Sequence, residues 1–161
     1  MPLCVFEVSV EDLFFFCSAQ TFIKTHLPFK LLPRKIQNES TKAKIKNVTR
    51  NPKDTCISYY HHCRLMEGFT GTLEEFSKLF LRDALCFAPY WNHVLDFWKL
   101  AKTNKNILFI KYEDMKKDLF RIIKKVGFHF SRSIATEQVE KLKNHLSFDN
   151  IYPVLKSFKK Q

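Results

Sequence analysis

The run Lys44-Ile-Lys-Asn-Val-Thr-Arg-Asn-Pro-Lys-Asp-Thr-Cys-Ile-Ser-Tyr-Tyr60 constrains the fold of this chain more than any other stretch, because it reads in succession as a strand, a polar turn and a helix start. Ile45 and Val48 supply apolar strand character between polar neighbours. Asn51-Pro52 marks the turn, since the residue before proline is pushed out of the helical region. Pro52 suits an early helix position, where its missing N–H costs little. Asp54 falls in the first turn, where a carboxylate complements the helix dipole. The helix continues over Thr55–Met66, with Ile57, Tyr60 and Leu65 among its apolar positions. Strand, polar turn and helix is how α/β proteins build anion sites from backbone N–H groups and the helix dipole. Arg50, at the strand end, would add a charged fork, with Ser58 two helical turns on. The same residues also suit a solvated loop arginine and a helix-face serine, so the pattern alone leaves both readings open.

A second segment, Thr21-Phe-Ile-Lys-Thr-His-Leu-Pro-Phe29, is a short strand-like run ended by Pro28. Lys24 and His26 are two apart, which puts them on one side of an extended chain. A cation beside an imidazole suits proton removal from a hydroxyl near developing negative charge. Taken singly, a half-buried or surface histidine fits the same pattern.

The rest of the chain reads as an α/β framework. Thr72-x-x-Glu75 is a capping box opening a helix to about Leu85, with Phe76, Leu79 and Phe80 as its apolar stripe. Pro89 starts another helix through about Lys102, on which Trp91, Val94, Leu95 and Trp98 recur at helical spacing and read as core packing. Asn104-Lys-Asn106 is a turn and Ile107–Tyr112 the clearest strand. Asp114–Val126 is expected to be one helix stopped by Gly127, followed by a short helix over Thr136–Asn144. Helices between strands imply a parallel sheet flanked by helices. No repeat, low-complexity tract or linker appears, so a single domain over 1–161 is expected.

Composition narrows the function classes. Hydrophobic residues make up 45%, with 17 Phe, which is enough for a core at 161 residues. The formal net charge is +11, which suits a polyanionic ligand, although lysine clusters such as Lys116, Lys117, Lys124 and Lys125 also suit solvated helix faces. No nucleic-acid motif accompanies that charge, so nucleic acid is not expected as a partner. The five cysteines are odd in number and lack a Cys-x-x-Cys pair, so neither a disulfide framework nor a zinc site is expected. A reducing, cytoplasmic setting follows. His61-His62-Cys63 lies on adjacent helical positions that diverge, so no metal is expected there. The apolar stretch Met1–Ala19 is interrupted by Glu7, Glu11 and Asp12 and has no basic start. It makes a poor signal peptide and is too short and charged for a membrane span. Whether it belongs to the fold stays open.

Together, Lys24-Thr-His-Leu-Pro28 and Arg50-Asn-Pro-Lys-Asp54 with Ser58-Tyr-Tyr60 resemble two motifs of the cytosolic sulfotransferases, in the family's order. Pro89-Tyr-Trp-Asn-His-Val94, Phe97-Trp98, Ile107-Leu-Phe-Ile-Lys-Tyr-Glu-Asp-Met115 and His145-Leu-Ser-Phe148 extend the resemblance from about Thr21 to about Ile151. It implies an incomplete sulfotransferase fold of the P-loop-NTPase-like type. It also implies sulfuryl transfer from 3′-phosphoadenosine 5′-phosphosulfate to a small hydroxyl acceptor such as a phenol or sterol. Carried over, His26 is the general base and Lys24 positions and polarises the reacting groups. Arg50 and Ser58 bind the donor's 3′-phosphate, Tyr112 contacts the adenine, and Phe148 packs on its ring. No metal is implied.

Three departures qualify the resemblance. Residues Met1–Gln20 hold no glycine and no match to the family's Lys-Ser-Gly-Thr-Thr-Trp-like phosphate loop, which needs backbone that approaches the anion closely. The family's Arg-Lys-Gly loop and its dimerisation segment would fall beyond Gln161, which leaves the oligomeric state open. Leu146 stands where the family tends to have threonine. Impaired turnover is therefore expected of the chain as it stands, and a non-catalytic remnant serving as a nucleotide-binding or interaction module is the alternative. Loss of the family's first strand would leave a sheet edge uncovered, an aggregation hazard.

Overall fold

The computed structural model describes residues 3–9 and 20–147. Contacts divide the chain into two compact units, one ending at Glu113 and one beginning at Asp114.

In the first unit, strands β1 (Leu3–Ser9), β2 (Gln20–Thr25), β3 (Lys44–Thr49) and β4 (Ile107–Lys111) form one sheet in the order β2-β1-β3-β4. β3 and β4 pair in parallel, with Ile45 opposite Ile107 and Thr49 opposite Lys111. This is the pairing expected where helices separate strands. β1 is antiparallel to both β2 and β3, so the sheet as a whole is mixed. Only residues 10–19 separate β1 from β2, too short for the crossover of roughly a dozen or more residues that a parallel pair requires. Part of the apolar opening stretch thus belongs to the fold, and it covers the edge of β3 that was expected to lie open.

β3 alternates strictly, burying Ile45, Asn47 and Thr49. β4 buries Ile107, Leu108 and Ile110 in a nearly continuous run, as a strand covered on both faces should. Between β2 and β3 the chain makes a 3₁₀ turn (Phe29–Leu31) and helix α1 (Arg34–Gln37). Phe29, Leu32 and Ile36 from this stretch pack with Ile45, Ile107 and fully buried Phe97. The rings of Phe29 and Phe97 meet edge to face at 5.9 Å. Helices α2 (Pro52–Met66), α3 (Leu73–Leu81) and α4 (Tyr90–Thr103) supply a second apolar cluster around Phe76.

α3 opens with the expected capping box: Glu75 N–H donates to Thr72 Oγ1 and Thr72 N–H to the Glu75 carboxylate. It ends at Leu81 rather than near Leu85, and Asp83 beyond it adopts φ +55°. α4 departs from expectation in its buried face. Tyr90, His93 and Phe97 turn inward, while Trp91, Leu95 and Trp98 are exposed and only Val94 is partly buried. The tryptophans read as core because they are large and regularly spaced, but the row one position round the helix is the one that packs. In α2, likewise, Cys56, Tyr59, Tyr60 and Cys63 are buried, whereas Ile57 and Leu65 are exposed.

The second unit contains α6 (Leu119–His129) and α7 (Thr136–His145), preceded by α5 (Tyr112–Lys117), which starts in the first unit. The single helix expected over 114–126 is therefore two. Asp118 breaks it, accepting from Arg121 N–H at 2.9 Å and capping α6. Gly127 does not stop the helix. It lies inside α6, where a Cβ would come within 2.7 Å of Ile134 Cδ1. Glycine is there for close packing.

Candidate active site

The strand-turn-helix run forms as read. β3 ends at Thr49, Arg50 and Asn51 make the turn, and Pro52 is the first residue of α2. Asn51 is the N-cap, its side chain accepting from Lys53 N–H at 2.9 Å. Thr55, 1% exposed, donates its hydroxyl back to Asn51 C=O at 2.9 Å. These bonds leave the turn little freedom.

Arg50 is held on several sides. Its guanidinium lies 4.8 Å from the centre of the Tyr112 ring, a cation–π contact. Nη2 meets Asp54 Oδ2 at 3.5 Å in a half-exposed pair, a weak interaction that a stronger anion can displace. Nε is buried without a hydrogen-bond partner. An unpaired buried donor on a cation beside a helix N-terminus fits an anionic group. The backbone is fixed too: the Tyr90 hydroxyl donates to Arg50 C=O, and Asn51 N–H donates to Glu113 Oε1 at 2.7 Å. Ser58 lies exposed on α2.

Lys24 is exposed in β2, and His26 is half-buried just past that strand. The His26 ring sits 5.1 Å from that of Phe87. His93 on α4 is 6% exposed, with Nε2 lacking a hydrogen-bond partner. Burial above all, and then the charge of His26, holds its pKa down to about 4 against the opposing pull of Asp96. His93 is therefore a neutral imidazole near neutral pH.

A small apolar hollow lined by Thr55, Tyr59, Phe80, Leu85, Phe87 and Tyr90 touches both groups of residues. Phe87 is the ring against His26, and Tyr90 bonds to Arg50. Burial above all raises the Tyr59 pKa, aided by Cys63 and Glu67, so its hydroxyl stays protonated. Burial and a hydrogen bond to Glu67 push the Cys63 thiol up to about 11, so it offers no thiolate at neutral pH. Among the described residues no group of three His, Cys, Asp or Glu side chains could hold a metal ion. None of the described helices is long and apolar enough to cross a membrane. Phe148 lies outside the described residues.

The structure thus brings Arg50 and Tyr112 together and sets His26 beside the aromatic hollow. Residues 14–156 match the family described as Sulfotransferase domain, and the chain belongs to that family. It is 43% identical over 130 residues to luciferin sulfotransferase of Photinus pyralis, covering 81% of this chain and 35% of that protein. It is 34% identical over 132 residues to sulfotransferase 1A1 of Bos taurus, covering 81% of this chain and 44% of that one. Among solved structures, a mouse sulfotransferase complexed with PAP superposes with a TM-score of 0.72 at 32% identity, covering 79% of this chain and 45% of the other. Retinol dehydratase in complex with androsterone and the inactive cofactor PAP gives 0.71 at 29% identity, covering 77% and 36%. The chain thus spans less than half the length of these relatives.

Three side chains with structural roles at the site had no role in the sequence reading: Tyr90, His93 and Glu113. All three lie inside stretches singled out by resemblance, Pro89–Val94 and Ile107–Met115. The bonds of Tyr90 and Glu113 reach across 40 residues to Arg50 and 62 to Asn51 respectively, which no local pattern reveals.

Proposed function

We propose that this chain binds the 3′-phosphorylated end of 3′-phosphoadenosine 5′-phosphosulfate and supports sulfuryl transfer to a small hydroxyl compound. The observation that carries the reading is Arg50, stacked on Tyr112 at the start of α2 with a buried Nε that has no partner. Arg50 takes the 3′-phosphate with its guanidinium fork, and Ser58 adds a hydroxyl donor. Tyr112 flanks the adenine, and Phe148 packs on its ring. The donor, when bound, supplies the sulfuryl group. His26 removes the acceptor's proton as the acceptor oxygen attacks the sulfur and the donor's bond from sulfur to the 5′-phosphate oxygen breaks, releasing PAP, and Lys24 positions and polarises the reacting groups. Phe87, whose ring lies 5.1 Å from that of His26 at the rim of the hollow, gives the proposed base an apolar neighbour. Two of the similar solved structures, the mouse sulfotransferase and retinol dehydratase, are complexed with PAP, which supports the reading.

Calorimetric titration with PAP tests the reading. A charge-assisted bond to phosphate contributes about 1.5–3 kcal/mol, so Arg50→Ala should weaken PAP binding by about ten- to 150-fold. Unchanged affinity in that variant would remove Arg50 from the site. Where turnover is measurable, His26→Ala should abolish it, and retained turnover would sink the assignment of the base.

A further inference from the structure

Two side chains from distant parts of the chain grip the same peptide group. The Arg50 carbonyl and the Asn51 amide belong to one planar unit. At one end the carbonyl accepts from the Tyr90 hydroxyl, and at the other the N–H donates to Glu113 Oε1 at 2.7 Å. Tyr90 is the first residue of α4 and is 5% exposed. Glu113 follows Tyr112 in α5, directly after β4. With both polar ends tied, the peptide plane cannot rotate, and the direction in which the Arg50 side chain leaves the backbone is set.

The surrounding contacts show why that direction matters. Next to Glu113, the Tyr112 ring carries the Arg50 guanidinium at 4.8 Å. Backbone and side chain of Arg50 are therefore both referenced to the start of α5. Thr55 Oγ1 approaches the same carbonyl at 3.4 Å, a long bond that cannot replace the tyrosine hydroxyl. The Tyr90 ring itself packs on Phe80 at 5.5 Å, so loss of the hydroxyl alone leaves the packing in place.

We infer that Tyr90 and Glu113 are positioning residues for 3′-phosphate recognition: they lock the Arg50–Asn51 peptide so that the Arg50 fork is pre-aimed at the phosphate. This rests on the reading of Arg50 given under Proposed function. Preorganisation acts by removing an ordering cost that binding would otherwise incur. The device should therefore matter for ligands that carry the 3′-phosphate and not for those that lack it.

The test titrates the full 161-residue chain with PAP and with adenosine 5′-monophosphate, which has no 3′-phosphate. Tyr90→Phe removes one hydrogen bond, so PAP affinity should fall about three- to tenfold while affinity for adenosine 5′-monophosphate stays within about twofold. Glu113→Ala should behave like Tyr90→Phe, and Glu113→Gln, which keeps an acceptor oxygen, should recover most of the loss. Equal losses for both nucleotides, or no loss for either, overturn the inference. If the wild-type chain shows no preference for PAP, or Arg50→Ala leaves that preference intact, the reading of Arg50 fails instead. A ligand-independent measurement keeps the two apart: the ¹⁵N relaxation of Arg50 Nε. It should report an ordered side chain in the wild type and a more mobile one in Tyr90→Phe. Equal order in both proteins overturns the positioning role whatever the nucleotide data show, and circular dichroism confirms that each variant is folded.

Discussion

At His93, burial and chemistry pull against each other. The ring is enclosed on α4 against Phe97, with centroids 5.0 Å apart, and Nε2 finds no partner. Its folded-state pKa is about 4, below the ordinary 6.5, chiefly through burial, with His26 adding to the shift and Asp96 opposing it. Between those two values the unfolded chain binds a proton that the folded chain refuses. Stability therefore rises with pH across that window and is lost as pH falls from about 6.5 towards 4. The effect is on the order of 2 kcal/mol. Urea denaturation at pH 7 and at pH 4.5 should show it, and His93→Gln, which cannot titrate, should flatten the difference. An equally steep acid loss in the variant would move the effect to other groups. Nothing in the sequence marked His93 for this, because its burial depends on which row of α4 faces inward. Arg50 was different: its neighbours Asn51, Pro52 and Asp54 carry turn, helix-start and first-turn signals that are all local. The turn that carries Arg50 was therefore legible, and the contacts that fix it from Tyr90, Tyr112 and Glu113 were not.

Elements whose signals lie within one turn of helix formed where the sequence placed them. The Thr72 capping box, the Pro52 helix start and the β4 strand all belong here. Signals with two physical meanings were the ones misread. Gly127 suggested a helix stop, yet it sits inside α6 where Ile134 Cδ1, Ile134 Cγ1 and Arg132 C=O crowd the space a Cβ would fill, at 2.7, 3.1 and 3.2 Å. In an open helix position, Gly→Ala stabilises by about 1 kcal/mol. Gly127→Ala should instead destabilise by about 1–2 kcal/mol, because the backbone oxygen of Arg132 cannot step aside as a side-chain tip can. Chemical denaturation of the pair measures this, and a gain in stability would mean that the α6–α7 connection yields. Asp118, read as part of a continuous helix, is a cap. Asp118→Ala should cost about 0.5–2 kcal/mol, whereas Asp118→Asn should recover most of it. The bond from Arg121 N–H to Asp118, three residues apart, is what makes two helices of the stretch read as one.

On the scale of the whole chain, exposed apolar surface competes with charge. Trp91, Leu95 and Trp98 are 49%, 44% and 44% exposed and recur at helical spacing on α4. Trp98 is partly shielded by Lys102, whose Nζ stands 3.4 Å from the ring centre. The formal net charge is +11. At low salt, like-charged molecules repel one another and the apolar stripe stays apart from its copies. Raising salt from 0.1 to 1 M shortens the screening length from about 10 Å to about 3 Å, removing the repulsion while leaving the hydrophobic attraction. Light scattering should therefore show self-association that increases with sodium chloride, the reverse of what charge-pairing between copies would give. Leu95→Lys breaks the stripe at its centre. It should suppress most of that increase while changing folding stability by no more than about 0.5 kcal/mol, as expected for an exposed position. If the variant associates as strongly as the parent at 1 M salt, the stripe on α4 is not what brings the copies together. If association instead falls with salt, then charge rather than apolar area governs how this chain meets another of its kind.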